Sequence, residues 1–170
     1  MDGQAVHDEI DRARASFHEL LDHVSDADLR RSTNGTRWNN KQLLFHMLLG
    51  YLTIRALRGL VVFDRLPSSA DRRFACVLNA VATPFDAVNY AGAWLAGTVL
   101  PRRALGALFD RVVGSLHRRP DVETEDDLAR SMRFPTQWDP FIHETMTLTD
   151  VYHFPTQHFD FHRDQLTLAQ

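Results

Sequence analysis

The sequence predicts an all-α fold, a helical bundle. Apolar residues recur at steps of three and four along several stretches, capping patterns open the helices, and nothing alternates with period two long enough to make a sheet. The chain has 170 residues, a length that suits a single domain over 1–170 with a real core.

The elements follow in order. Val6, Ile10, Ala13, Phe17, Leu20 and Val24 make one apolar stripe on a charged first helix. Ser25 is an N-cap with Asp28 three residues later, and Asn34-Gly35 marks a turn. Asn39 and Gln42 have capping-box spacing, so a second helix starts near Asn39 and runs to about Phe63, ended by Pro67-Ser68-Ser69. Its inward positions are Leu43, Met47, Gly50, Ile54 and Leu57. From Phe74 to Pro101 the sole charge is Asp86, which suggests two short helices, about 71–83 and 85–99, split by Pro84. Gly92, Ala93, Ala96 and Gly97 would let another helix approach closely. A long helix over about 102–118 turns Leu105, Leu108, Phe109, Val112 and Leu116 inward. After the polar linker Arg119–Thr124 come a helical turn at 125–132, a loop at Phe134–Pro140 containing Trp138, and a last helix from Thr149 to the C-terminus, with a kink expected at Pro155.

Composition narrows the function. A net charge of −3 gives no global basic field for nucleic acid. No stretch has the roughly 20 apolar residues of a membrane span. The N-terminus shows no signal-peptide pattern and Cys76 is the one cysteine, so a cytoplasmic, reducing setting is expected. Cys76 reads as a small buried hydrophobe and not as a nucleophile.

Nine histidines are more than packing requires. His158 and His162 are four apart, so a helix puts both imidazoles on one face within reach of one ion. Such a pair alone arises by chance about as often as by function. His46 tips the balance, because it lies inside the apolar run Leu43–Gly50, where an unpaired polar group costs about 1–3 kcal/mol. Gly50, one turn on, would leave space beside it. Three inward histidines on two helices suit a metal site in a bundle core. His7, His18, His23 and His117 lie off the stripes and read as solvated, while His143 is ambiguous and His153 is placed at the mouth of the site. Glu144 and Asp160 are candidate orienting carboxylates, although Asp160 points away from the pair. The arginine pairs 72–73, 102–103 and 118–119 read as solvated faces.

Two stretches resemble the DinB/YfiT-like superfamily. Trp38 precedes His46 by eight residues in a helix-opening pattern, and His158-Phe-Asp-Phe-His162-Arg163-Asp-Gln165-Leu166 is similar to that family's His-x-x-x-His-Arg-x-Gln-Leu close. The resemblance implies a four-helix bundle with one long crossover, here at about 67–101 with extra short helices. It also implies a three-histidine metal site at His46, His158 and His162. Members are often dimers, and those with assigned activity include thiol-dependent transferases and isomerases using mycothiol or bacillithiol.

Three neutral imidazoles leave a coordination position vacant, as catalytic sites do, and such a position can lower the pKa of water or hold a thiol as thiolate. The sequence offers no nucleophile of its own. The leading expectation is therefore an enzyme with one divalent ion that activates a low-molecular-weight thiol for transfer to, or isomerisation of, a small organic electrophile. Zinc is favoured, with nickel, iron and manganese compatible, and the arginine-rich composition tilts the thiol towards mycothiol. Trp38, Gly50, Trp138 and His153 are the expected substrate-binding residues. Two alternatives are a metal-dependent hydrolase using metal-bound hydroxide and a non-catalytic bundle that binds metal or a small ligand. The stripe Phe85, Val88, Leu95 and Val99, with Trp94 beside it, must be covered. It either packs on its own bundle or, the favoured reading, roofs the metal pocket or joins two chains.

Overall fold

The computed structural model describes residues 3–62, 73, 76–77, 79–80 and 82–168. Within them the fold is helical: α1 (Gly3–Asp22), α2 (Asp26–Arg30), α3 (Asn40–Val62), α4 (Ala82–Val99), α5 (Arg102–His117), α6 (Glu125–Ala129) and α7 (Leu148–Arg163). A two-stranded antiparallel ribbon, β1 (Ser131–Arg133) with β2 (Thr145–Thr147), pairs the buried Met132 with Met146, and a single antiparallel bridge joins Ser32 to Asn39. Where a helical turn over 125–132 was expected, the helix stops at Ala129 and the chain turns extended. Three-residue strands are too short to show a period in the sequence.

Local capping sets the helix starts. Ser25 Oγ accepts the Asp28 amide at 3.1 Å. Asn39 and Gln42 form a reciprocal box, with the Gln42 amide donating to Asn39 Oδ1 at 2.9 Å and the Asn39 amide to Gln42 Oε1 at 3.1 Å. Thr147 and Asp150 do the same for α7. In α1, Leu21 and not Leu20 fills the core position one turn after Phe17, and Leu20 lies at the edge. Gly35 supplies the left-handed turn, at φ 76°.

The long helices meet around one core. α3 packs against α7 and α4, while α1 packs against α5 and α7. Phe17, Tyr51, Phe109 and Phe159, one from each of α1, α3, α5 and α7, form its aromatic centre, with Phe17 and Phe109 stacked at 4.1 Å. The segment expected as two helices split at Pro84 differs. α4 runs from Ala82 through Pro84, which sits in the first turn where an amide has no intrahelical partner anyway. Residues 73, 76–77 and 79–80 are helical too, and Cys76 is exposed where burial was expected. The helix end near Phe63 and the stop at Pro67-Ser68-Ser69 fall outside the described residues.

Close approach of α4 to α3 depends on Gly97, where a Cβ would stand 2.6 Å from Gln42 Cα. Ala93 is buried on the same face. The opposite face of α4 is uncovered: Val88 is 70% exposed, Leu95 57%, Val99 67% and Trp94 49%. These four side chains therefore do not pack on their own bundle, while the Phe85 side chain lies outside the described residues. The last helix is unbroken through Pro155 but ends at Arg163, short of the C-terminus. The tail beyond it returns over the 31–40 segment, where the Asn34 amide donates to Gln165 O at 2.8 Å and the Thr167 amide to Asn40 Oδ1 at 3.0 Å. No helix among the described residues is long and apolar enough to cross a membrane.

Candidate metal centre

The α3–α7 contact brings His46, His158 and His162 together. One ring nitrogen from each lies within 4.8 Å of those of the other two, and all three residues are buried. Gly50 makes this approach possible: a Cβ there would stand 2.8 Å from His158 Cδ2. The space that the sequence assigned to the side of His46 is thus filled by the His158 ring.

Each Nδ1 is committed to an oxygen acceptor. His158 Nδ1 donates to Asp139 Oδ2 at 2.7 Å, His162 Nδ1 to Gln165 Oε1 at 2.7 Å, and His46 Nδ1 to Asn89 Oδ1 at 3.1 Å. A neutral imidazole carries one N–H, so all three Nε2 atoms are left as lone pairs. Those of His46 and His162 face each other at 3.2 Å, and that of His158 is buried with no hydrogen-bond partner. Converging buried lone pairs repel unless something positive lies between them. Nitrogens bound at about 2.0–2.1 Å to a tetrahedral ion stand about 3.3 Å apart, so small ring shifts suffice. The residues fit a divalent cation that accepts nitrogen ligands.

Electrostatics favour the ligand form. Burial, reinforced by His158 and His162, pushes the His46 imidazole down to about 2. Burial and then His158 push His162 down to about 4, against the Gln165 hydrogen bond that raises it. Both rings are neutral at neutral pH.

The orienting groups were not found from the sequence. Asp139 replaces the expected Glu144 and Asp160, which pair instead with Arg133 and with Arg12, the latter at 3.0 Å. Asp139 sits in the loop tied off by the β1–β2 ribbon, where its Oδ1 accepts the Phe141 amide at 2.9 Å and its backbone carbonyl accepts the Ile142 amide. That turn, in Trp-Asp-Pro, is a signal the sequence carries, but nothing in it points to His158. Gln165, three residues after His162 and part of the closing motif, was readable as a partner. Asn89 was visible as a polar residue in an apolar segment.

Of the expected substrate-binding residues, Trp38, Gly50 and Trp138 line a cavity at the histidine cluster, with Trp38 against His46 at a ring separation of 4.3 Å. His153 does not line it. It faces α1, with Nδ1 2.9 Å from Glu9 Oε2. Other histidines read as solvated are engaged: His7 is buried against His117 and Asp121, and His18 bonds Asp110. His23 is exposed, with Nδ1 3.0 Å from Glu19 O, and the ambiguous His143 is exposed too. The stripe on α4 does not roof the cavity, to which α4 contributes Asn89 among the described residues.

Neither a curated protein nor a solved structure matches the chain. The family model of the DinB superfamily matches residues 9–166. With nearly the whole length covered, and with a helical fold that closes around three buried histidines, the chain belongs to the DinB superfamily.

Proposed function

We propose that this protein is a metal-dependent enzyme that activates a low-molecular-weight thiol for transfer to, or isomerisation of, a small organic electrophile. The observation that carries the reading is the convergence of three buried imidazole lone pairs whose Nδ1 atoms are all engaged. Membership in the DinB superfamily supports a metal-binding helical protein.

A bound divalent ion, zinc by preference, supplies Lewis acidity, which favours the ionised form of a thiol brought to it. The chain's own residues do the rest. His46, His158 and His162 hold the ion, and Asn89, Asp139 and Gln165 fix the tautomer and ring orientation of each. Trp38 and Trp138 wall the cavity. No lysine, cysteine or serine is among the described lining residues, and the Thr53 hydroxyl donates to Leu49 O at 2.9 Å. The nucleophile therefore comes from outside, and mycothiol is the thiol we favour. The reading takes the chain as one domain, a four-helix bundle with a crossover that includes α4, working as a cytoplasmic homodimer. The exposed Val88, Leu95 and Val99 support that dimer, since a stripe of this kind on a monomer calls for a partner.

The test is thiol addition to the cobalt-substituted protein. A sulfur-to-cobalt charge-transfer band is expected with mycothiol, and is absent in His158→Ala. Absence of a band across a panel of low-molecular-weight thiols, with ester or amide cleavage rising near pH 7, would instead make it a hydrolase. Absence of both would make it a binding protein.

A further inference from the structure

We infer that the cavity at the histidine cluster takes a small organic anion, and that the indole N–H of Trp38 donates to the negative atom of that ligand. This rests on the reading of the cluster as a metal-held reaction centre, and it names the residue that selects what joins the three histidines there.

Two side-chain atoms among the described residues are buried without a hydrogen-bond partner, His158 Nε2 and Trp38 Nε1. Both residues line the same cavity. The two atoms are opposite in kind. His158 Nε2 is a lone pair, because the ring hydrogen is on Nδ1, whereas an indole N–H is a donor only. The lone pair calls for a cation and the donor for an acceptor. A buried indole N–H ordinarily has a partner, and leaving one without is destabilising.

Trp38 is not placed to swing away and find an acceptor elsewhere. Its amide donates to Thr36 Oγ1 at 3.1 Å, and its carbonyl accepts the Thr33 hydroxyl at 2.9 Å. Its ring packs on His46 at 4.3 Å and stacks with Tyr90 at 6.0 Å. Turning the indole would break these contacts, so the acceptor comes with a ligand.

Charge decides what kind of acceptor it is. A divalent ion on three neutral imidazoles brings two positive charges. Asp139 is the one carboxylate among the described lining residues, with no lysine or arginine beside it. One positive charge is left for the ligand to offset, and a charged acceptor makes the stronger hydrogen bond. The rest of the wall includes Leu49, Trp138, Ile142, Phe154 and Phe161, which suit a hydrocarbon body. The cavity is small, about 220 Å³, below the roughly 300–1,000 Å³ of sites for drug-sized ligands. A thiolate and a carboxylate share this chemistry, a negative atom on an organic body.

The experiment titrates the cobalt-substituted full chain with benzoate, benzenethiol and imidazole, followed by the visible cobalt bands. Imidazole is the control: once one nitrogen binds the ion, the other carries a hydrogen and cannot accept from Trp38. Trp38→Phe keeps an aromatic ring against His46 and removes the donor. Cobalt content and imidazole affinity should hold, while benzoate weakens about tenfold, the usual worth of a hydrogen bond to a charged group. Equal weakening of both ligands would make Trp38 a packing residue and overturn the inference. So would unchanged benzoate affinity, or failure of benzoate to bind the parent protein. Should Trp38→Phe not fold, the zinc-loaded parent decides. Its Trp38 indole proton resonance, assigned by elimination with Trp94→Phe and Trp138→Phe, should move downfield on acetate addition, and an unmoved resonance at saturation overturns the inference. A sulfur-to-cobalt band with benzenethiol that weakens in parallel with benzoate would identify the thiolate as a ligand of the same donor. Absence of that band with benzoate selectivity intact would sink the thiol reading alone, so the two failures are distinguishable.

Discussion

Two histidine clusters in this protein have equally close rings and opposite chemistry. At the candidate metal centre of His46, His158 and His162 the ring centroids stand 4.5–4.8 Å apart. Between α1 and the end of α5, His7 and His117 stand 4.2 Å apart. The difference lies in what each nitrogen faces. At the first cluster every Nδ1 donates outward to an oxygen, and three lone pairs turn towards one another. At the second, His7 spends both nitrogens, Nε2 on Asp121 at 2.8 Å and Nδ1 on His117 Nε2 at 3.2 Å, and that same His117 nitrogen is 3.4 Å from Asp11. There the His7 Nε2 hydrogen goes to Asp121 and the single hydrogen of His117 Nε2 lies between His7 Nδ1 and Asp11, so no set of lone pairs converges, and both carboxylates are exposed. Proximity of histidines does not make a metal site; the direction of the unspent lone pairs does.

The largest test of that contrast is removal of the rings. His46→Ala, His158→Ala or His162→Ala should lose stoichiometric metal while far-UV circular dichroism stays close to the parent. His7→Ala and His117→Ala should keep it, as measured by elemental analysis of protein purified without a histidine tag. Metal retained by the triple-alanine variant would show that the ion is held elsewhere.

Next comes the orienting shell. Asp139→Asn should weaken metal binding about 10–100-fold, the usual cost of an outer partner, whereas Asp121→Asn should leave it unchanged. Competition with a chromogenic chelator reads both. Gly50→Ala should act by a different route. Its Cβ would press on the His158 ring, at a cost of about 1–3 kcal/mol, so the melting temperature and the metal affinity should fall together.

A smaller effect is expected from pH. His46 and His162 are held below the ordinary histidine value of about 6.5, at about 2 and about 4. Below pH 6.5 the unfolded chain binds protons that these buried rings refuse, so stability falls as pH falls. Above 6.5 neither state is protonated and the contribution is constant. The urea midpoint of the metal-free protein should therefore drop between pH 7 and pH 4.5. A flat profile would mean that the rings are not buried in neutral form.

The smallest effect on the centre should come from Leu95→Asp with Val99→Asp. Folding and metal content should hold, because neither side chain is covered, while sedimentation should shift towards monomer. Unfolding of this variant would make the face of α4 part of the core.

The sequence by itself determined the features built from contacts within about four residues. The α1 stripe, the Ser25 and Asn39 caps and the shared face of His158 and His162 all follow from the helical repeat and from side chains that reach their own backbone. Only the tertiary structure decided where each helix face went. A period marks the apolar stripe on α4 but not whether anything covers it, and it is the Gly97 face that α3 accepts. The pairing of Asp139 with His158 spans 19 residues and depends on a ribbon too short to read. Asn89 reaches His46 only because α4 lies on α3. Local hydrogen bonds are set by spacing along the chain, whereas the orientation of an imidazole is set by whichever distant acceptor packing delivers to its second nitrogen.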